Sequence, residues 1–132
     1  MWFTQDDKRD DKRTEKRIKG DHKERLAEAY LSAKGLDLIE RNFLCKSGEI
    51  DLIMKDASKQ NQEYLVFIEV RYRENQEFGG ALASITAGKQ KKLRRAAEYY
   101  LLQHFGNTPP ACRFDVVGIE GQNEIMWIKN AF

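Results

Sequence analysis

Two strand-like runs of this chain each carry acids among core-type residues: Gly48-Glu49-Ile50-Asp51-Leu52-Ile53 and Val66-Phe67-Ile68-Glu69-Val70-Arg71. Side chains alternate along a strand, so Ile50, Leu52 and Met54 fall on one face of the first run, and Glu49, Asp51 and Ile53 on the other. In the second run Val66, Ile68 and Val70 share a face, opposite Leu65, Phe67, Glu69 and Arg71. If the two runs form a hairpin across the polar loop 56–63, the symmetric register sets Lys55 opposite Leu65, Asp51 opposite Glu69 and Glu49 opposite Arg71. Directly opposed side chains have Cβ atoms about 4.5–5.5 Å apart, and two carboxylates that close repel unless a cation lies between them. A hard divalent ion, Mg2+ or Mn2+, is the natural occupant, because it takes a few carboxylate oxygens together with water and phosphate. The plainer reading pairs Asp51 and Glu69 with Arg71, Arg73 or Lys89 at the sheet rim. Two acids inside otherwise apolar strands weigh against it, since unpaired buried charge is expensive. Glu49 has Arg71 as a ready partner and is read as structural or orienting first, and as a metal ligand second.

Other groups could join this pair. Glu24 sits at the border of an apolar helical stripe, about two turns before Leu31, and either reaches inward to the metal or is exposed. Lys89 and Gln90 precede Leu93 by four and three residues, which turns both toward the sheet. Lys91, Lys92, Arg94 and Arg95 crowd the same two turns, and the N-terminal amides of that helix suit a phosphate. This is the best local basic patch in the chain, and its plain alternative is a solvated helix face. His22 and His104 have no paired ligands, and neither is read as catalytic.

The elements that must position these groups follow from periodicity. Residues 5–19 mix both charges with Ile18 as the one apolar residue, which predicts a disordered or frayed helical arm over 1–19, either touching nucleic acid or simply solvated. Leu26, Ala27, Tyr30 and Leu31 recur at helical spacing between His22 and Lys34, with Gly35 as the stop. Strands are predicted over 36–43, 49–54 and 64–72, followed by the connector Phe78-Gly79-Gly80. Thr86 can cap a long helix bearing Leu93, Ala96, Ala97, Tyr100 and Leu101, ended by Pro109 and Pro110. Strands over 112–119 and 124–128 close the order αβββαββ around a turn at Gly121.

Composition sets the class. A chain of 132 residues, 41% hydrophobic and 33% charged, predicts one soluble α/β domain over 20–132 and no membrane span. Residues 1–20 hold seven Lys or Arg and five Asp or Glu, which leaves 16 of each sign in the remainder. A neutral domain binds a polyanion through a local patch rather than its overall charge. The charged start lacks the pattern of a secretory signal, so a cytoplasmic location is expected. Cys45 and Cys112 are too few for a disulfide framework and form no C-x-x-C, and both are read as reduced and structural.

These motifs taken together resemble a known family. Gly20 with Glu24 and Ala27, the run Gly48 to Ile53, the run Val66 to Arg73, Phe78-Gly79-Gly80, Lys89, and Arg113-Phe114-Asp115-Val116-Val117 are similar to the bacterial YraN family over residues 20–129. That family resembles the PD-(D/E)xK nucleases of the restriction-endonuclease superfamily, near the archaeal Holliday-junction resolvases. The resemblance implies a restriction-endonuclease-like mixed central sheet flanked by helices, with metal ligands at Asp51 and Glu69 and a helical acid at Glu24. One position departs from the pattern, because Arg71 stands where the superfamily usually has Lys. Arginine stays protonated and can hold a phosphate or stabilise its developing charge, but it cannot act as a general base. Activation of the attacking water would then fall to the metal, or Lys89 fills the gap, or hydrolysis has been lost.

The leading expectation is a metal-dependent nuclease acting on DNA, with branched or damaged structures among its candidate substrates and Glu24, Asp51, Glu69, Arg71 and Lys89 as its catalytic set. Arg73, Gln90, Lys91, Lys92, Arg94 and Arg95 are the expected nucleic-acid contacts. The rivals are a binding module without chemistry and a protein-interaction factor that keeps the fold. Homodimerisation is left open.

Overall fold

The computed structural model describes residues 6–59, 61–73 and 80–132, with side chains from residue 14. Eight elements follow one another: α1 (Asp6–Ala33), β1 (Leu36–Cys45), β2 (Gly48–Lys59), β3 (Gln62–Arg73), α2 (Gly80–Ala83), α3 (Ala87–Phe105), β4 (Cys112–Glu120) and β5 (Glu124–Ile128). The five strands form one sheet in the order β1-β2-β3-β4-β5. All neighbours are antiparallel except β3 and β4, which run parallel. A parallel pair needs a crossover, and α2 and α3 supply it. The architecture is therefore a mixed α/β sheet flanked by helices, with the short α2 added to the expected order.

The helices cover opposite faces. Ala27 and Leu31 of α1 close over Leu52, Met54, Val66, Ile68, Val117 and Ile119. On the other face Leu93, Ala96, Ala97 and Tyr100 of α3 meet Phe43, Ile50, Ile53, Leu65 and Phe67. Tyr100 takes edge-on contacts with Phe43 and Phe67 at centroid distances of 5.2 and 5.9 Å, a favourable aromatic geometry. Thr86 caps α3 as expected, its Oγ1 accepting from Lys89 N at 3.1 Å. The helix ends earlier than Pro109 because Gly106, at φ +59°, returns its N–H to Leu102 O.

Three expectations are corrected. The first helix reaches back from His22 to Asp6, although residues 14–22 are exposed. The loop expected over 56–63 is mostly strand, with Asn61 at φ 67° in the turn. Asp56 can lie buried there because Arg113 Nη1 stands 2.8 Å from its Oδ2 and Ser58 N donates to its Oδ1. The third correction concerns Ile50, which joins Ile53 in the α3 core while Leu52 and Met54 join the α1 core. The strict two-residue alternation of β2 thus fails around Asp51, next to the point where β2 leaves its regular ladder with β3. The connector residues Phe78 and Gly79 lie outside the described residues.

No helix among the described residues is long and apolar enough to cross a membrane. Cys45 and Cys112 are free and half-buried.

Candidate metal centre

The hairpin register is as expected through its centre, with Lys55 opposite Leu65, and its regular pairs run on to Leu52 opposite Ile68. Beyond that pair the strands part. Val70 N donates to Asp51 Oδ2 at 2.8 Å, so a side chain stands where the backbone ladder would continue. This hydrogen bond turns the carboxylate into the fork between β2 and β3 and holds it there.

Two elements bring three acids to the fork. Glu24 comes from α1, and Glu49 and Asp51 come from β2. Each of the three offers an oxygen, and these oxygens lie within 4.8 Å of one another. Asn42 of β1 holds two of them. Its amide nitrogen, in the orientation that satisfies both neighbours, donates to Glu24 Oε1 at 2.7 Å and to Glu49 Oε1 at 2.9 Å. Asn42 adopts φ 53°, a left-handed conformation that asparagine tolerates better than most residues.

Glu69 lines the same cleft. It is 6% exposed, its Oε2 has no hydrogen-bond partner, and its Oε1 lies 3.6 Å from Arg71 Nε. The expected pairing of Glu49 with Arg71 is replaced by this looser approach of Arg71 to Glu69. Arg71 Nε and Arg73 Nε are likewise buried without a hydrogen bond. Buried polar atoms normally find partners, so Glu69 Oε2 and Arg73 Nε beside one cleft leave bonding capacity there for a ligand or ordered water.

The electrostatics agree with that reading. Burial, the Asp51 and Glu49 charges, then Asp21, push the Glu24 carboxyl up to about 8, and a hydrogen bond from its acid form to Asp51 adds to the effect. Burial and the Asp51 charge push Glu69 up to about 7, against the pull of Lys89 and Arg71. Burial also raises Asp51 above the ordinary carboxylate range, opposed by its bond from Val70 and by Lys89. Glu24 and Glu69, held this way, favour their protonated forms up to near neutrality. The carboxylate oxygens of Glu24, Glu49 and Asp51 converge from α1 and β2, a donor set that fits a hard divalent ion, and Glu69 lines the same cleft outside that group.

The cleft, about 980 Å³, is walled by α1 on one side and by the ends of β2 and β3 on the other. Glu24, Asp51, Glu69 and Arg73 line it, as do Glu49 and Asn42. Arg71 adjoins Glu69, and Lys89 reaches the acids electrostatically from α3. Gln90 turns back to the protein, its Nε2 donating to Ile85 O at 3.4 Å. Lys91, Lys92, Arg94 and Arg95 are exposed on α3 and do not line the cleft. Besides Arg73, its cations come from α1: Lys16, Arg17, Lys19 and Lys23.

Sequence reasoning missed Asn42 and the grouping of Glu49 with Glu24, and it weighed the arm's cations as a nucleic-acid contact against a solvated tail without placing them at the cleft. An asparagine within a strand was the available signal for Asn42, since strands disfavour it. Helical spacing from Ala27 back to Glu24, Gly20 and Lys16 was the signal for α1.

The chain is similar to proteins of one family. The family described as Uncharacterised protein family UPF0102 matches residues 23–119. A UPF0102 protein of Nitrosospira multiformis is 51% identical over 118 residues, covering 88% of this chain and 93% of that protein. One from Nitrosococcus oceani is 51% identical over 119 residues, covering 88% and 92%. One from Aeromonas hydrophila is 50% identical over 115 residues, covering 86% and 84%.

Proposed function

The chain belongs to the YraN-like family UPF0102, and from the site its sequence builds we propose that it is a divalent-metal-dependent nuclease that hydrolyses DNA phosphodiester bonds. The observation that carries this reading is the convergence of Glu24, Glu49 and Asp51, with their oxygens within 4.8 Å, beside the buried and unpartnered Glu69 Oε2. The mixed sheet and the order of these motifs accord with a restriction-endonuclease-like fold, the second strand of the central hairpin carrying Glu69 and Arg71.

Asp51, Glu69 and Glu24 would hold Mg2+ or Mn2+, with Glu49 as a further donor. Bound there, the ion would polarise a phosphoryl oxygen and lower the pKa of a water ligand. The chain's own residues do the rest. The Val70 amide fixes Asp51, and Asn42 keeps Glu24 and Glu49 together. Arg71, through its planar guanidinium, would stabilise the charge that develops on the phosphate. Lys89 lends positive potential to Asp51 and Glu69 from the α3 side, and Arg73 lines the approach. The exposed cations of α3, Lys91 to Arg95, are a candidate second contact for the polyanion outside the cleft.

The test is a panel of linear, branched and single-stranded DNA and RNA incubated with Mg2+ or Mn2+. Cleavage abolished by chelation and by Asp51→Ala and Glu69→Ala is expected. Salt-sensitive binding without cleavage, indifferent to those two changes, would replace the enzyme with a binding module.

A further inference from the structure

Along α1 the stripe that faces the sheet changes character. Leu31 and Ala27 are buried in the core, and the same stripe continues toward the N-terminus through Glu24 and Lys23, Gly20, and Lys16 with Arg17. These positions recur at intervals of three and four, so they lie on one side of the helix. A helix that merely solvates its charges carries them on the side away from the core. Here Lys16, Arg17, Lys19 and Lys23 lie on the side that lines the cleft, where the helix runs on beyond the apolar core. Lys16, Arg17, Lys19, Gly20 and Lys23 all line that cleft.

Two further features concentrate there. The ammonium groups of Lys19 and Lys23 lie 4.7 and 4.4 Å from the centroid of the Tyr72 ring, on the opposite wall. The ring draws both cations across the cleft, while Lys23 Nζ also donates to Asn123 Oδ1 at 2.7 Å. Gly20 interrupts the stripe in mid-helix, where glycine is about 1 kcal/mol less favourable than alanine. No packing demands it, because a Cβ added at Gly20 would meet nothing within 4 Å. A glycine without an internal reason, between cations on a cleft wall, leaves room for the close approach of an external chain.

We propose that the inward stripe of α1, Lys16 and Arg17 with Gly20, is the track on which a nucleic-acid phosphate backbone lies as it runs to the acidic cluster, with Tyr72 and Arg73 forming the facing wall. This deepens the nuclease reading by naming the surface that takes the substrate, and it rests on that reading for the identity of the polyanion. The backbone passes Gly20, where a side chain would obstruct it, and exchanges its counterions for the α1 cations.

Fluorescence anisotropy with labelled single-stranded and duplex oligonucleotides, in chelator so that no cleavage occurs, tests it on the full chain. Lys16→Ala/Arg17→Ala is expected to weaken binding at least tenfold and to lower the slope of log K against log salt by about one to two. Gly20→Leu is expected to weaken binding at least tenfold with a melting temperature no lower than the wild type. Lys91→Ala/Arg94→Ala, on the rival surface, should weaken it less than the α1 pair. Wild-type affinity in both α1 variants, a larger loss from the α3 pair, or no binding by the wild type overturns the proposal. The two readings fail separately: α1-dependent binding without cleavage under any metal sinks the nuclease and leaves the track, whereas cleavage indifferent to α1 does the reverse.

Discussion

Asp51 and Val70 are joined across the central hairpin by a side chain rather than by a backbone rung, with Asp51 Oδ2 accepting the Val70 amide hydrogen at 2.8 Å. The carboxylate therefore has two separable properties, its acceptor oxygen and its charge. Asp51→Asn keeps an acceptor for Val70 and removes the charge from a crowded cluster, so the metal-free protein should be as stable as the wild type or more so. The rise in melting temperature on adding Mn2+ should vanish in that variant. Asp51→Ala leaves a buried amide unpaired and should lose about 1–3 kcal/mol in urea denaturation.

Stability of the metal-free protein should depend on pH in an unusual direction. Glu24 and Glu69 are held at about 8 and about 7, above the ordinary 4.5 of each. Between the unfolded and folded values the native state binds more protons than the unfolded chain, so its stability falls as pH rises. Thermal melts in chelator should show the melting temperature dropping from pH 5 to pH 8. Glu24→Gln should flatten that slope, and Mn2+ should stabilise more at pH 8 than at pH 5.

A different region should govern the fold. Arg113 joins Asp56 at 2.8 Å and Asp115 at 3.0 Å, and Asp115 is fully buried while also accepting from Trp127 Nε1 and Asn130 N. Burial works against Asp56 ionising, but Ser58 and Arg113 outweigh it and hold that carboxyl at about 2. Arg113→Ala strands both acids and should destabilise by about 3–5 kcal/mol, measured in urea. Adding Asp56→Asn should recover part of the loss.

Arg71 and Lys89 should separate by chemistry rather than stability. Arg71 approaches Glu69 at 3.6 Å, and Lys89 favours the ionised forms of both Asp51 and Glu69. Arg71→Ala and Lys89→Met should each slow cleavage by roughly 10²-fold, in line with losing one charge-stabilising donor. Arg71→Lys should retain a larger share of the rate. Single-turnover kinetics at saturating metal reads these effects, with circular dichroism reporting an unchanged fold.

Much of this arrangement was legible because strand alternation and hairpin symmetry are local rules. They set Lys55 opposite Leu65 correctly and pointed to Asp51 and Glu69 as acids in core-like strands. They failed at Ile50, since a change of alternation leaves no mark in residue type. Glu24 was open between inward and exposed because its distance from β2 depends on how α1 docks, a tertiary fact. The basic helix α3 drew attention through its density of cations, whereas the cleft is decided by which helix overhangs it. The helical spacing of Lys16, Gly20 and Glu24 carried that information, but the dense charge of both signs around it read as solvated chain.

The acids that converge at the fork belong to α1 and β2, and Asn42 of β1 ties the two contributions together. An unfolded chain has no such constellation, so a cation would bind the native state alone and its affinity would become conformational free energy. Saturating the site would thus pin the long N-terminal helix against the sheet, and chelation would loosen it. Hydrogen exchange in the residues around Glu24 would then serve as a gauge of occupancy, even for a variant unable to cut anything.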